Sequence, residues 1–366
     1  MGRGADVPSF RVKIGKQLFG QEDAATPDAG PWEERKTMKV LKSLMVTAAV
    51  AVALMANAAH AENKKIALVV KALGIGFFEA ANKGAQEAAK ELGDVEIIYT
   101  GPTSTTAEGQ IEVINSLIAQ KVDAIAVSAN DTDALVPALK KAMDRGIKVI
   151  SWDSGVAKEG RLMHLNPSSS PLIGNMIIKL AADNLPEGGD VAVLSASATA
   201  TNQNTWIAEM KKVQGNYKGI NVVATVYGDD LADKSYRETQ GLIQSHPNLK
   251  AIIAPTSVGI VAAAQAVTDA GKIGQINVTG LGLPSEMAGH VKSGASKSFA
   301  IWNPIDLGYS ATMIAYDLIN GAEAKPGAEL KMGRMGTVKL DENNEGAMAD
   351  PFVYDASNVE EFAKIF

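Results

Sequence analysis

Residues able to do chemistry recur in this chain at one kind of place, the end of an apolar run. Lys71 follows Ile66–Val70, and beyond a Gly74-Ile75-Gly76 turn Phe77 and Phe78 open an amphipathic stretch. Asp153 follows Val149-Ile150-Ser151-Trp152, and Asn130 follows Val127-Ser128-Ala129. Asn202, Gln203 and Asn204 come after Ser195–Thr201; Pro255, Thr256 and Ser257 come after Ile252-Ile253-Ala254; Trp302 closes a further run. A carboxylate accepts hydrogen bonds from two neighbouring hydroxyls, and side-chain amides both donate and accept. Aromatic rings offer broad dispersion contact to C–H faces. A cation beside two aromatic faces, with no reactive group nearby, suits a small polar ligand with apolar faces. That describes a sugar.

Each of these residues also has a plainer use. Asp153 could cap a turn or helix, Asn130 could be a turn residue, and Asn202 an N-cap. Trp152, Trp206 and Trp302 could simply fill the core. Lys71 is the sharpest case, because a cation at the end of a core strand is uncommon unless it meets a ligand or a carboxylate.

Reactive alternatives find little support. Beyond the leader only His164, His246 and His290 remain, none at a metal-ligand spacing. The chain has no Gly-x-Ser-x-Gly elbow, no phosphate loop, and no Gly-x-Gly-x-x-Gly after the first strand. Gly280-Leu281-Gly282 reads as a tight turn, and Asp229-Asp230 as a solvated turn rather than an acid–base pair. No catalytic residue, metal or cofactor is expected.

The elements that must position the candidate residues alternate. Strand patterns fall at Ile66–Val70, Val95–Tyr99, Ala124–Ser128, Lys148–Trp152, Leu162–Leu165, Asp190–Ser195, Asn221–Tyr227, Ala251–Ala254, Ile276–Gly280 and Ser298–Trp302. Helical periodicity fills the gaps, as in Ile111, Ile114, Leu117 and Ile118, with Thr105 and Glu108 as a capping box. This alternation predicts parallel sheets, at whose strand C-termini open α/β folds bind ligands. The pattern stutters at Arg161–Pro171, predicting a passage between lobes, with others at Trp302-Asn303-Pro304 and within Ala322–Gly336. The lobes so defined are 62–166 plus 304–332, and 167–303 plus 333–366. Three crossings make a hinge rather than a tether.

The amino end reads as a leader. Lys39 and Lys42 precede an apolar run from Leu44 to Ala59, and Ala59-His60-Ala61 supplies a small-x-small cleavage signal. Residues 38–61 are therefore expected to be a signal peptide cleaved near Ala61, and residues 1–37 an upstream extension. Removing residues 1–61, with 8 Lys/Arg and 6 Asp/Glu, leaves 305 residues carrying 27 against 35, a net charge of −8. That length suits two lobes. The charge argues against nucleic acid and anionic membranes as partners. With no cysteine, disulfides, thiolate metal sites and cysteine nucleophiles are excluded.

At these positions the chain resembles the type I periplasmic sugar-binding proteins of ABC importers. Within them it is most similar to the rhamnose-binding proteins and their relatives that bind the furanosyl signal autoinducer-2. The resemblance rests on Val70–Phe78, Tyr99–Thr103, Ser151–Ser154, Asn202–Trp206 and Ile252–Pro255, taken together. It implies an α/β fold of two Rossmann-like lobes joined by three hinge crossovers, with the ligand clamped between them. It implies ligand contacts at Lys71, Asp153, Asn202, Gln203, Pro255 and Ser257, to which the residues' own placement adds Phe77, Phe78, Asn130 and Trp302. Asn202 stands where the autoinducer-2 relatives carry an aspartate, and Ser257 where they carry an alanine. One fewer carboxylate and more apolar wall suit a deoxy sugar, so L-rhamnose is the expected ligand, with autoinducer-2 or ribose as alternatives. The remaining expectations are a monomer in the periplasm, an inner-membrane ABC permease as partner, and a chemoreceptor as a further reader.

Overall fold

Apolar runs four to eight residues long, separated by one-faced helices, assemble into two parallel sheets. The computed structural model describes residues 63–366, so the readings for 1–37 and for 38–61 lie outside the described residues. The first sheet is built from β1 (Lys64–Val69), β2 (Val95–Thr100), β3 (Ala124–Val127), β4 (Lys148–Trp152) and β5 (Met163–Asn166). The second takes β6 (Gly189–Ser195), β7 (Ile220–Tyr227), β8 (Leu249–Ala254) and β9 (Asn277–Gly280), in the order β7-β6-β8-β9. A parallel bridge from Leu281 to Ala300 brings β10 (Ser298–Ile301) alongside. All four residues of β3 are buried, as expected of a parallel strand covered on both faces.

The helices that carry the candidate residues follow these strands. They are α1 (Gly76–Leu92), α2 (Ala107–Gln120), α3 (Val136–Met143), α4 (Ser170–Asp183), α5 (Thr201–Val213), α6 (Ala232–Ser245), α7 (Ser257–Asp269), α8 (Pro284–Ser293) and α9 (Pro304–Ile319). In α1, Phe77, Phe78, Ala81, Ala85 and Ala88 share the buried face, and Gly93 ends the helix in the left-handed conformation. The α1 and α9 helices approach so closely that only glycine fits at the crossing. A Cβ on Gly84 would lie 1.7 Å from the Ile305 carbonyl oxygen, and one on Gly308 1.9 Å from that of Ala81.

Two expectations need correction. The cap of α2 is Thr106, whose hydroxyl accepts from Gly109 N at 3.3 Å, and not Thr105. Thr105 instead donates to the Asp229 carbonyl, 2.7 Å away and 124 residues along the chain. The third passage between sheets was expected within Ala322–Gly336. There the chain forms one side of a hairpin of β11 (Glu329–Lys331) and β12 (Thr337–Lys339). The next strand, β13 (Glu345–Ala347), completes the first sheet beside β5, in the order β13-β5-β4-β3-β1-β2. Only β14 (Phe352–Asp355) crosses over, pairing with β10, so the third passage falls at 348–351.

Candidate functional site

The C-terminal ends of β1, β4 and the strands of the second sheet converge on a space of about 420 Å³. It lies at the strand ends where open α/β sheets bind ligands. Lys71, Phe77, Phe78, Asp153, Asn202, Gln203, Pro255, Ser257 and Trp302 all line it. Ile75, Trp206, Asp230, Thr256, Leu281 and Ile301 complete the wall.

A polar network forms the floor. Lys71, Asp153 and Asn202 are all buried. Lys71 Nζ donates to Asn202 Oδ1 at 3.0 Å, and Asn202 Nδ2 donates to Asp153 Oδ1 at 3.2 Å. Ser128 Oγ donates to the other oxygen, Asp153 Oδ2, at 2.7 Å. The helix Asn202 belongs to is capped at Ala200, so its side chain is left to bridge the two sheets. Burial pushes the Asp153 carboxyl above its ordinary range, and the Asp230 charge adds to the rise. The Lys71 charge and the hydrogen bonds from Ser128 and Asn202 pull the other way. Asp153 holds a left-handed backbone, φ 57°, which aspartate tolerates better than most residues.

Donors complement these acceptors. Gln203 Oε1 is committed to Ser195 Oγ at 2.9 Å and Ala196 N at 2.6 Å. Its Nε2 has no partner among the described residues, and neither do the two other hydrogens of Lys71 Nζ. The Trp302 indole N–H is likewise buried without a partner among them. Such a set matches a ligand rich in hydroxyls, each able to donate and accept at once.

Aromatic rings build the apolar side. Phe77 meets Trp302 edge to face with centroids 6.3 Å apart, and Trp302 meets Trp206 at 5.5 Å. Phe78 packs edge-on to Trp152 at 5.9 Å, which places Trp152 behind the wall rather than in it. Gly280 reaches φ 137°, and a Cβ there would lie 2.1 Å from the Ala254 carbonyl oxygen. This glycine turn sets Leu281 against the cavity.

Asn130 is the candidate that does not line the space. Its amide donates to the carbonyls of Lys71 at 2.9 Å and Thr106 at 3.2 Å. It therefore braces the backbone that carries Lys71. Asp230, by its sequence a residue of a solvated turn, lines the cavity; no local pattern distinguishes a turn carboxylate that faces inward. Further bonds join the two halves beside the cavity, with Thr132 and Thr201 hydroxyls 2.9 Å apart and Thr199 Oγ1 donating to the Asn130 carbonyl at 3.1 Å.

Behind Asp153 and Asn202 a second polar space of about 740 Å³ is lined in part by Arg161, His164 and Glu345. Arg161 pairs with Glu345, and His164 Nδ1 lies 2.9 Å from Ser151 Oγ. Burial, with the Arg161 charge adding to it, holds the His164 imidazole down to about 3. It is neutral at physiological pH.

Two sheets enclose a cleft lined with hydrogen-bonding and aromatic groups, the architecture of a binding protein. Residues 66–323 match the periplasmic binding protein domain, and the chain belongs to that family, with its type I α/β fold. It is similar to an ABC transporter solute-binding protein from Clostridium phytofermentas solved with bound L-rhamnose. The two are 36% identical, with a TM-score of 0.80, over 83% of this chain and 99% of that one. LsrB from Clostridium saccharobutylicum, in complex with AI-2, shares the fold at 24% identity and a TM-score of 0.78, over 81% of this chain and 99% of its own. The D-ribose/D-allose-binding protein of Pseudomonas aeruginosa is 29% identical over 236 residues, 61% of this chain and 73% of that protein. These relatives are substrate-binding proteins, and this chain is a binding protein rather than an enzyme.

Proposed function

We propose that this chain is the periplasmic component of an ABC importer that captures L-rhamnose between its lobes and delivers it to an inner-membrane permease. The observation that carries the reading is the division of the cavity wall. Lys71, Asp153, Asn202 and Gln203 offer charge-assisted and amide hydrogen bonds, while Ile75, Phe77, Leu281, Ile301 and Trp302 offer apolar surface. A deoxy sugar needs both, hydroxyls on one side and a methyl group on the other. The similarity to a protein holding L-rhamnose supports the same choice.

Capture proceeds without chemistry. The three passages, at 166–167, 302–304 and 348–351, act as the hinge, and closing over the sugar removes water that competes for its hydroxyls. The closed form is what the permease reads, and a chemoreceptor could read it too. Export through a signal peptide at 38–61 accounts for the periplasmic location, and the protein acts as a monomer.

A thermal-shift panel with L-rhamnose, L-fucose, D-ribose and autoinducer-2 tests the choice of ligand. At a hundredfold excess over Kd, the bound sugar stabilises by about 2.7 kcal/mol. L-rhamnose is expected to give the largest shift. A larger shift with ribose or autoinducer-2 would reassign the site.

A further inference from the structure

We infer that Asp230 is a second sugar-contacting carboxylate, which holds a hydroxyl on the wall opposite Asp153 and sets specificity; this rests on the sugar-binding reading above. Asp153 comes from the end of β4 in the first sheet, and Asp230 from just beyond β7 in the second. Both line the same cavity, and the two charges sense each other across it.

The turn that presents Asp230 is unusual. Asp229 and Asp230 are consecutive non-glycine residues with positive φ, 55° and 52°. A left-handed pair of this kind is costly for side chains with a Cβ, and such backbones cluster where ligands are clamped. Their surroundings hold them firmly. The Asp229 carbonyl accepts from Thr105 across the cleft, and its carboxylate pairs with Lys234. Thr256 Oγ1 donates to Asp230 Oδ1 while accepting from Gly259 N at 3.2 Å, which fixes one carboxylate oxygen. Asp230 Oδ2 has no partner among the described residues. Asp230 also lines the outer groove beside Leu73 and Ile75, so it stands where the cavity meets the exterior.

This arrangement completes an acceptor set that Asn202 alone leaves short. Asn202 spends its carbonyl on Lys71 and on Gln203 N, and one amide hydrogen on Asp153, so it offers the ligand a donor but no acceptor. The contact from Thr105 ties the Asp229–Asp230 turn to the first half of the protein, so the carboxylate takes its place as the lobes close. A sugar bound here presents one hydroxyl edge to Asp153 and another to Asp230.

The test is calorimetric titration of wild-type protein and Asp230→Asn with L-rhamnose and with its 2-, 3- and 4-deoxy derivatives. Asparagine keeps an oxygen for Thr256 and tolerates positive φ, so the fold and the turn survive. The expected result is a loss of affinity for L-rhamnose of roughly ten- to a hundredfold in the variant. That loss should vanish for the one deoxy derivative that lacks the hydroxyl Asp230 holds. Equal losses across all derivatives, or a variant within about twofold of wild type, would overturn the assignment alone. A wild-type protein that binds none of these sugars would overturn the sugar reading and this assignment with it.

Discussion

Lys71 and Asn202 lie 131 residues apart in the chain and 3.0 Å apart in space, joined by a hydrogen bond from ammonium to amide oxygen. One follows the first strand of the first sheet and the other opens the helix after the first strand of the second. Their bond therefore spans the cleft, and Asp153 extends it through the Asn202 amide. The proposed ligand site is built on this bridge.

Replacing Lys71 tests the bridge directly. Lys71→Met keeps the length of the stem but removes the donors and leaves Asp153 without its cation. The expected loss is about 2 kcal/mol, roughly 30-fold in Kd for L-rhamnose. Calorimetry giving wild-type affinity would reduce Lys71 to a structural cation.

Asp153→Asn should separate binding from stability. The folded carboxyl titrates above its unfolded value because it is buried, so above about pH 4 the folded state holds a proton the unfolded chain has released. Stability of sugar-free wild type therefore falls as pH rises through that window, and the variant escapes the fall. The variant is expected to gain on wild type in denaturant melts as pH rises above about 4, while losing about 2–4 kcal/mol of sugar affinity. A variant that keeps its affinity for L-rhamnose would remove Asp153 from the site.

His164 predicts the opposite slope. Its pKa is lowered from 6.5 to about 3, chiefly by burial. Between those values the unfolded chain takes up a proton that the folded protein does not, so stability is full above the unfolded pKa and lost as pH falls. The stability advantage of wild type over His164→Gln should therefore shrink from about pH 7 to about pH 4.5. An advantage that stays constant over that span would show that the imidazole is not held neutral.

The crossing of α1 and α9 gives a prediction away from the cleft. Gly308→Ala forces a methyl group against the Ala81 carbonyl and should cost about 1–3 kcal/mol in urea unfolding. A change below about 0.5 kcal/mol would mean that the helices move apart freely.

Much of this fold could be read in advance, for a physical reason. Strands such as Ala124–Val127 are buried on both faces, and a short apolar run bounded by turns leaves few other readings. That Lys71, Asp153 and Trp302 line one cavity was legible because they break the apolar pattern at strand ends, where open α/β sheets form their crevice. What escaped depends on direction. Asn130 has the right position, but its amide turns to backbone carbonyls rather than to the cavity. Asp230 looked like one more solvated turn residue, because inward aim comes from a left-handed backbone and from Thr256, neither of which leaves a local pattern. The glycine, proline and lysine of Ala322–Gly336 are shared between a turn leading into β11 and the turn of the β11–β12 hairpin, both with the composition of a linker.

Titration of the wild-type protein with L-rhamnose, followed by recovery of the sugar, bears most directly on the whole account. The predicted outcome is a single saturable site with a Kd of about 1 μM or tighter, near −8 kcal/mol, and rhamnose returned unchanged. No saturable binding up to about 1 mM, or conversion of the sugar to another product, would contradict it.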